Sequence, residues 1–309
     1  MLVAVGLAAL GTAASAQRPA APPVPPPPAD LQARSVVPGL WVIDETPAHG
    51  GSITILAGPE GLLLVDTGVE SWAPAVAATV SRLGPGPVRY VINTHAHVDE
   101  IAGNGFFAGK GATIVGQDGV REFMLTPRAP PAGADGRTAR QARAFPREAA
   151  PTITFDREMG LTFGGQELRL IAVPRAHTAS DILIRFPALD VIVVGDVLRA
   201  GEFPSINRAD GGTLDGMLAG LDRILALAGP NTWLITSHGQ VVHRDAAEAQ
   251  RRLLITARDH AAAMIGQGKS LDEVQAADIT QGLGAEALPG HVSAQQFVRD
   301  LYNELKARG

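Results

Sequence analysis

Residues 93–104 read NTHAHVDEIAGN, and the fold turns on how this segment is read. His95 and His97 are one residue apart, Asp99 lies two positions further on, and Glu100 follows it directly. The apolar run VRYVINT (88–94) delivers the segment and has the character of a buried strand. An H-x-H pair alone is weak evidence for chemistry. Three more groups of the same kind close strand-like runs downstream: His177 after VPRA, Asp196 after VIVVG and His238 after LITS. Strand ends feed loops, and loops are where sites assemble. The chain has no cysteine, so a metal would have to be held by imidazole nitrogen and carboxylate oxygen. His95 and His97 alternate along an extended segment, so they face one cation only if the loop curls after the strand. A cation there lowers the pKa of its water to about 7 and yields hydroxide at neutral pH; a second cation about 3.5–4 Å away would share that oxygen.

Outward from this segment the chain alternates strands with helices. LWVID, SITILAG and LLLVDTG read as three strands joined by tight turns at Gly50-Gly51 and Pro59-Glu60-Gly61. SWAPAVAATVSRL reads as a helix before the histidine segment; ATIVG and GVREFML, after it, as a strand and a helix. Residues 126–150, rich in Pro, Ala, Gly and Arg, read as a long surface loop. TITF, LTFGGQELRLIAVP, DILIRFP and DVIVVGD read as strands, TLDGMLAGLDRILALA as a helix and TWLITSHG as a last strand and turn. A long amphipathic helix follows over residues 244–268, and Ser270 with Glu273 forms a capping box. Strand-rich halves separated by helices imply sheets with helices packed outside them.

Composition bounds the function. The chain has 309 residues, 46% hydrophobic, and a formal net charge of -5 with no long basic run, which leaves a nucleic-acid partner without electrostatic support. MLVAVGLAALGTAASAQ is an apolar run ending in Ala14-Ser15-Ala16, the pattern of a cleaved signal peptide. It is short of the roughly 20 residues a membrane span needs. The expected organisation is a signal peptide over 1–16, a Pro-rich linker over 17–36, a catalytic domain over 37–243 and a C-terminal helical extension over 244–309 packed on it. The expected location is the periplasm, with no membrane association after cleavage.

The motif H-x-H-x-D, followed by a later His, Asp and His, resembles the metallo-β-lactamase-fold superfamily. LLLVDTG matches that superfamily's early aspartate at Asp66. The run GDVLRAGEFPSINRADGGTLDGMLAGLDRIL and then SHGQVV is similar to exported glyoxalase-II-like or class B-like zinc hydrolases. The resemblance implies an α/β fold, the four-layer αββα sandwich, with the metals at one edge between the two sheets. It implies that His95, His97 and His177 hold a first metal, that Asp196 bridges, and that Asp99 and His238 serve a second, with Asp66 supporting the metal loop from behind. Glu100 departs from the family pattern, which has a histidine there. It either ligates directly, ligates through water, or leaves a one-metal enzyme. The carboxylates Asp99, Glu100 and Asp196 favour a weaker second zinc or a harder ion such as Fe or Mn.

The resulting expectation is a metal-dependent hydrolase acting through metal-bound hydroxide on a small-molecule carbonyl substrate (a β-lactam, lactone, ester or thioester), with Asp99 orienting the water. The rival readings are a non-catalytic periplasmic metal- or ligand-binding relative and an iron-dependent oxidoreductase on the same scaffold. His49, in the turn before SITILAG, and Arg199 and Arg208, after Asp196, are further candidates for touching substrate; a surface salt bridge is the alternative for each arginine. Gly103 is expected to supply an unusual backbone angle, Asn104 a turn bond, and His243, His260 and His291 to be structural or on the surface.

Overall fold

Alternation of buried side chains lays down the layers. In the computed structural model, which describes residues 26, 31–44, 50–126, 145–288 and 291–308, strand β4 (Gly61–Val65) is buried along its whole length. Leu63 and Val65 face one apolar cluster and Leu62 and Leu64 another, the period-two division of a strand covered on both faces. β11 (Val191–Gly195) repeats the pattern, with Val191 and Val193 on one side and Ile192 and Val194 on the other.

Among the described residues, β4 sits within a seven-stranded sheet in the order β1 (Arg34–Val37), β2 (Leu40–Ile43), β3 (Ile53–Gly58), β4, β5 (Val88–Ile92), β6 (Thr113–Gln117), β7 (Ile153–Phe155). Pairing is antiparallel from β1 to β4 and parallel from β4 to β7. β11 sits within a six-stranded sheet in the order β13 (Val241–Val242), β12 (Trp233–Thr236), β11, β10 (Ile182–Phe186), β9 (Gln166–Ala172), β8 (Glu158–Phe163). The two sheets close on a shared core that includes Leu63, Val65 and Ile92 from one and Phe163, Ile184 and Val193 from the other. Helices α1 (Ala73–Val80), α2 (Val98–Ile101), α3 (Asn104–Ala108) and α4 (Asp118–Leu125) belong to the first half. Of these, α1 and α3 bring Val76, Val80 and Phe107 against the outer face of the first sheet. Helices α5 (Leu214–Leu227), α6 (Arg244–Gly266), α7 (Leu271–Ala276) and α8 (Ala294–Lys306) cover the second sheet through residues such as Leu221, Leu253, Val274 and Leu301. The molecule is thus an α/β sandwich of two mixed sheets flanked by helices.

Several expectations change in detail. LTFGGQELRLIAVP is two strands, β8 and β9, joined by a two-residue hairpin. Gly164 and Gly165 both take positive φ, 59° and 72°, which a hairpin turn of this length requires and only glycine meets cheaply. Ordered structure starts before residue 37: β1 begins at Arg34, and Leu31 is buried against the α1 layer. The expected signal segment, most of the Pro-rich stretch, His49 and residues 127–144 of the expected loop lie outside the described residues. The capping box at α7 is present, with the Ser270 side chain accepting from the Glu273 N–H and Glu273 reaching back. Helix α8 lies within the expected C-terminal helical extension, although the sequence reading did not delimit it as a separate helix. It docks through Phe297, stacked on Phe203 at 5.6 Å between ring centroids, and its Glu304 accepts the Leu214 N–H at the start of α5 with both oxygens, at 2.9 and 3.0 Å. No helix among the described residues is long and apolar enough to cross a membrane.

Candidate metal centre

Every chemically suggestive side chain hangs from the end of a strand. β5 runs out at Ile92, the chain bends through Thr94, His95 and Ala96, and His97 (φ −107°, ψ 155°) then leads into α2. That bend is the curl required for His95 and His97 to face a common point, and the first turn of α2 carries Asp99 and Glu100. His177 lies in the link from β9 to β10, Asp196 directly after β11 and His238 just past β12. The links are sewn together by backbone bonds: Ile182 N–H to Thr94 O at 2.9 Å, Gly51 N–H to Asp99 O at 3.1 Å and Ser52 N–H to Ser237 O at 2.5 Å.

His95, His97 and His177 form one buried group. His97 Nδ1 is 3.1 Å from His95 Nε2 and 3.0 Å from His177 Nε2. The outer nitrogens decide what the inner ones carry. His177 Nδ1 lies 2.7 Å from the Ser205 carbonyl oxygen, which can only accept, so the proton is on Nδ1 and the lone pair on Nε2. Thr94 Oγ1 donates to Asp66 Oδ2 at 2.7 Å and is left to accept from His95 Nδ1 at 3.1 Å, which places the His95 lone pair on Nε2. His97 Nε2 lies 3.1 Å from the Asp210 carboxylate oxygen and 2.9 Å from the Asn207 amide nitrogen; with its proton assigned to Nε2 for the carboxylate, the His97 lone pair is on Nδ1. Three lone pairs meet with no proton between them. That arrangement is unfavourable for the imidazoles alone and is what a cation requires. The charge states agree: burial holds His95 well below the ordinary imidazole range, helped by His97 and His177. Burial also brings His177 to about 4 against the pull of Asp196.

Asp99, Glu100 and His238 form a second group, their ligand atoms within 4.8 Å of one another. Asp196 stands between the two groups, with Oδ2 3.4 Å from His177 Nε2 and Oδ1 3.1 Å from His238 Nε2. Glu100 is fully buried, and neither of its oxygens finds a hydrogen-bond donor among the described residues. Burial raises its carboxyl well above the usual range, reinforced by Asp99, Asp196 and Asp66. Burial opposes ionisation of Asp196 too, yet Arg199, His238 and His177 hold its pKa well below the ordinary value. Asp66, at a φ of 64°, also accepts the Thr94 N–H at 2.9 Å. Burial pushes its carboxyl up to about 8 against those two Thr94 bonds. A cation on the imidazoles would lower it again by attraction, so the two charges support one another.

The remaining candidates divide. Arg199 is neither a free anchor nor a surface ion pair: it is buried, with Nη2 2.9 Å from Asp196 Oδ2 and 2.5 Å from His238 Nε2. Arg208 is exposed and lines a surface hollow with Arg175 and Arg308 rather than joining the histidines. His49 lies outside the described residues. Gly103 has an ordinary helical φ of −78°; glycine is needed because a Cβ there would lie 2.7 Å from the Thr67 carbonyl oxygen. Asn104 bonds to Thr67, Asn93 and the Ala149 carbonyl beneath the loop. His243 stacks on Trp233, while His291 bonds to Glu202 Oε2 at 2.5 Å.

Asn207 and Asp210 escaped the sequence reading. Asn207 caps a short turn whose Asp210 reaches His97, and its own amide lies 2.9 Å from His97 Nε2. Their signal was the turn composition of NRADGG at 207–212, which says that the chain reverses but not what it reverses against. Gln250 had a clearer one. It is a polar residue on the buried stripe of α6 that includes Ala247, Leu254 and Ala257, and its side chain accepts the Arg199 N–H at 2.7 Å.

A family model for the metallo-beta-lactamase superfamily matches residues 46–268. Among solved structures, a metallo-beta-lactamase from Pontibacter korlensis aligns at 18% identity and TM-score 0.56, covering 72% of this chain and 98% of its own. A metallo-beta-lactamase family protein from Thermus thermophilus aligns at 18% identity and TM-score 0.68, over 89% of this chain and 94% of its own. The stereoselective inverting sec-alkylsulfatase Pisa1 from Pseudomonas sp. aligns at 18% identity and TM-score 0.68, over 88% of this chain; the match spans 50% of the sulfatase.

Proposed function

The chain belongs to the metallo-beta-lactamase superfamily, and from that membership and the imidazole cluster we propose that it is a zinc-dependent hydrolase of small ester-type molecules, of the glyoxalase-II-like or class B-like kind. One observation carries the reading: His97 Nδ1 converges on His95 Nε2 at 3.1 Å and His177 Nε2 at 3.0 Å, beside the buried Glu100 oxygens that find no donor among the described residues. A cysteine-free set of three imidazoles with carboxylates nearby suits zinc. When bound, such an ion supplies Lewis acidity and an acidified water at neutral pH.

The protein's own side chains do the rest. His95 and His177 present neutral nitrogens on either side of His97 Nδ1, and Asp196 stays ionised beside them. Asp99 is the carboxylate that orients the attacking water and accepts its proton, and it returns a proton to the departing group. Glu100, forced toward its protonated form by burial and by Asp99, gives that pair one proton to share. The charge of Arg199, 2.9 Å from Asp196 Oδ2, keeps that carboxylate from taking the proton itself. A β-lactam, a lactone, an ester and a thioester all fit this chemistry, and the sulfatase neighbour adds a sulfate ester. The N-terminal run leads us to propose export to the periplasm as well.

The test uses the purified chain, loaded with zinc or stripped with EDTA, against one chromogenic member of each of those five substrate classes. Turnover of at least one class should disappear on stripping and return with added zinc. A zinc-loaded chain that turns over none of them would reject the hydrolase, and oxygen uptake by an iron-loaded chain would favour the oxidoreductase.

A further inference from the structure

We infer that this centre holds a single metal ion and that the guanidinium of Arg199 is its second cation, fixed where another ion would otherwise be held. The inference rests on the metal-binding reading above and concerns Asp99, Glu100, Asp196 and His238. Asp99, Glu100 and His238 bring ligand atoms within 4.8 Å of one another, the set that would hold a second ion, and Asp196 adjoins them. What stands against such an ion is Arg199. His238 Nε2 lies 3.1 Å from Asp196 Oδ1, so it is the atom that would meet an ion shared with Asp196. Arg199 Nη2 already stands 2.5 Å from that nitrogen and 2.9 Å from Asp196 Oδ2. The guanidinium therefore fills the space in front of both atoms that a shared ion would have to reach. The guanidinium also stays charged at any ordinary pH, so an incoming ion would be repelled as well as blocked.

The arginine is not free to swing aside. Its other terminal nitrogen, Nη1, lies 3.8 Å from Glu202 Oε2. Glu202 is itself held by Gln240 Nε2 at 3.1 Å and His291 Nδ1 at 2.5 Å. The backbone beneath is stapled twice. Gln250 on α6 accepts the Arg199 N–H at 2.7 Å, and Gln240 bonds both the N–H and the carbonyl of Ala200, each at 2.8 Å. Moving the guanidinium out would leave Asp196 and Glu202 buried without their cation, the costly way to break a buried pair. Helix α6 thereby gains a role in the site: it fixes the loop that aims Arg199.

Metal content per chain decides the matter. The full chain, its Glu100→His form and its Arg199→Gln form are each exposed to tenfold excess zinc, freed of loose metal by gel filtration, and counted by native mass spectrometry. The wild type should hold one zinc. Glu100→His should also hold one, because the arginine still occupies the place. Arg199→Gln, similar in reach but uncharged, should rise toward two. Two zinc ions in the wild type, or a rise in Glu100→His alone, would overturn the assignment while leaving the hydrolase reading standing. No zinc in the wild type would remove that reading and this inference with it. If Arg199→Gln does not fold, the wild-type and Glu100→His counts still decide.

Discussion

His97→Ala should abolish tight zinc binding and, with it, all metal-dependent turnover. His97 is the hub of the imidazole group, because its Nδ1 makes both short approaches, 3.1 Å to His95 and 3.0 Å to His177. Removing it leaves two nitrogens and a hole, not a rearranged triad. Loss of an outer partner of a metal ligand typically costs about 10–100-fold in affinity, and loss of a ligand at the hub should exceed that range. The fold should survive. His97 lies beyond the end of β5 and is absent from the apolar clusters that join the layers, so the far-ultraviolet circular dichroism should be unchanged. Competition against a chelator of known zinc affinity gives the number. An affinity within tenfold of wild type would show that the ion sits elsewhere.

Gly212→Ala should damage the same centre from outside it. A Cβ at Gly212 would lie 2.2 Å from the His177 carbonyl oxygen and 2.8 Å from its carbonyl carbon. Both are backbone atoms, so no rotamer change relieves the clash. The His177 carbonyl is already tied to the Asn207 N–H at 3.0 Å, and Gly212 N–H to the Asn207 carbonyl at 2.9 Å. The added methyl therefore forces apart the segment carrying His177 and the segment that supplies Asn207 and Asp210 to His97. Overpacking of this sort costs about 1–3 kcal/mol in stability, and displacing two ligands at once should lower zinc affinity by at least about tenfold. Gly266→Ala is the control, since a Cβ there meets nothing within 4 Å. Chelator competition and a urea midpoint for each variant separate the two effects. A Gly212→Ala protein with wild-type affinity would mean that the two segments are not held in this register.

Much of the fold was legible because its signals are local. β4 and β11 are short apolar runs bounded by turn residues, and both are strands buried on two faces. The residue types of the centre were legible as well, because a cysteine-free chain has only imidazole and carboxylate to offer and these fall at strand ends. What stayed hidden depends on long-range approach. Arg199 reads as a substrate contact or a surface salt bridge until β11 and β12 pair in parallel and bring His238 beside it. Asp210 reads as a turn residue until the chain returns to His97 across 113 positions. Gly103 reads as a glycine of unusual angle, although its need is for space against Thr67. The hairpin within LTFGGQELRLIAVP carried its own signal in Gly164-Gly165, which the apolar residues on either side masked.

The most direct test of the central claim is the zinc K-edge X-ray absorption spectrum of the zinc-loaded chain. His95, His97 and His177 as ligands predict a first shell of nitrogen and oxygen at about 2.0–2.1 Å, with the outer-shell scattering of three imidazoles. A spectrum that needs no imidazole, or only one, would contradict the account, because it would place the ion away from the three converging nitrogens.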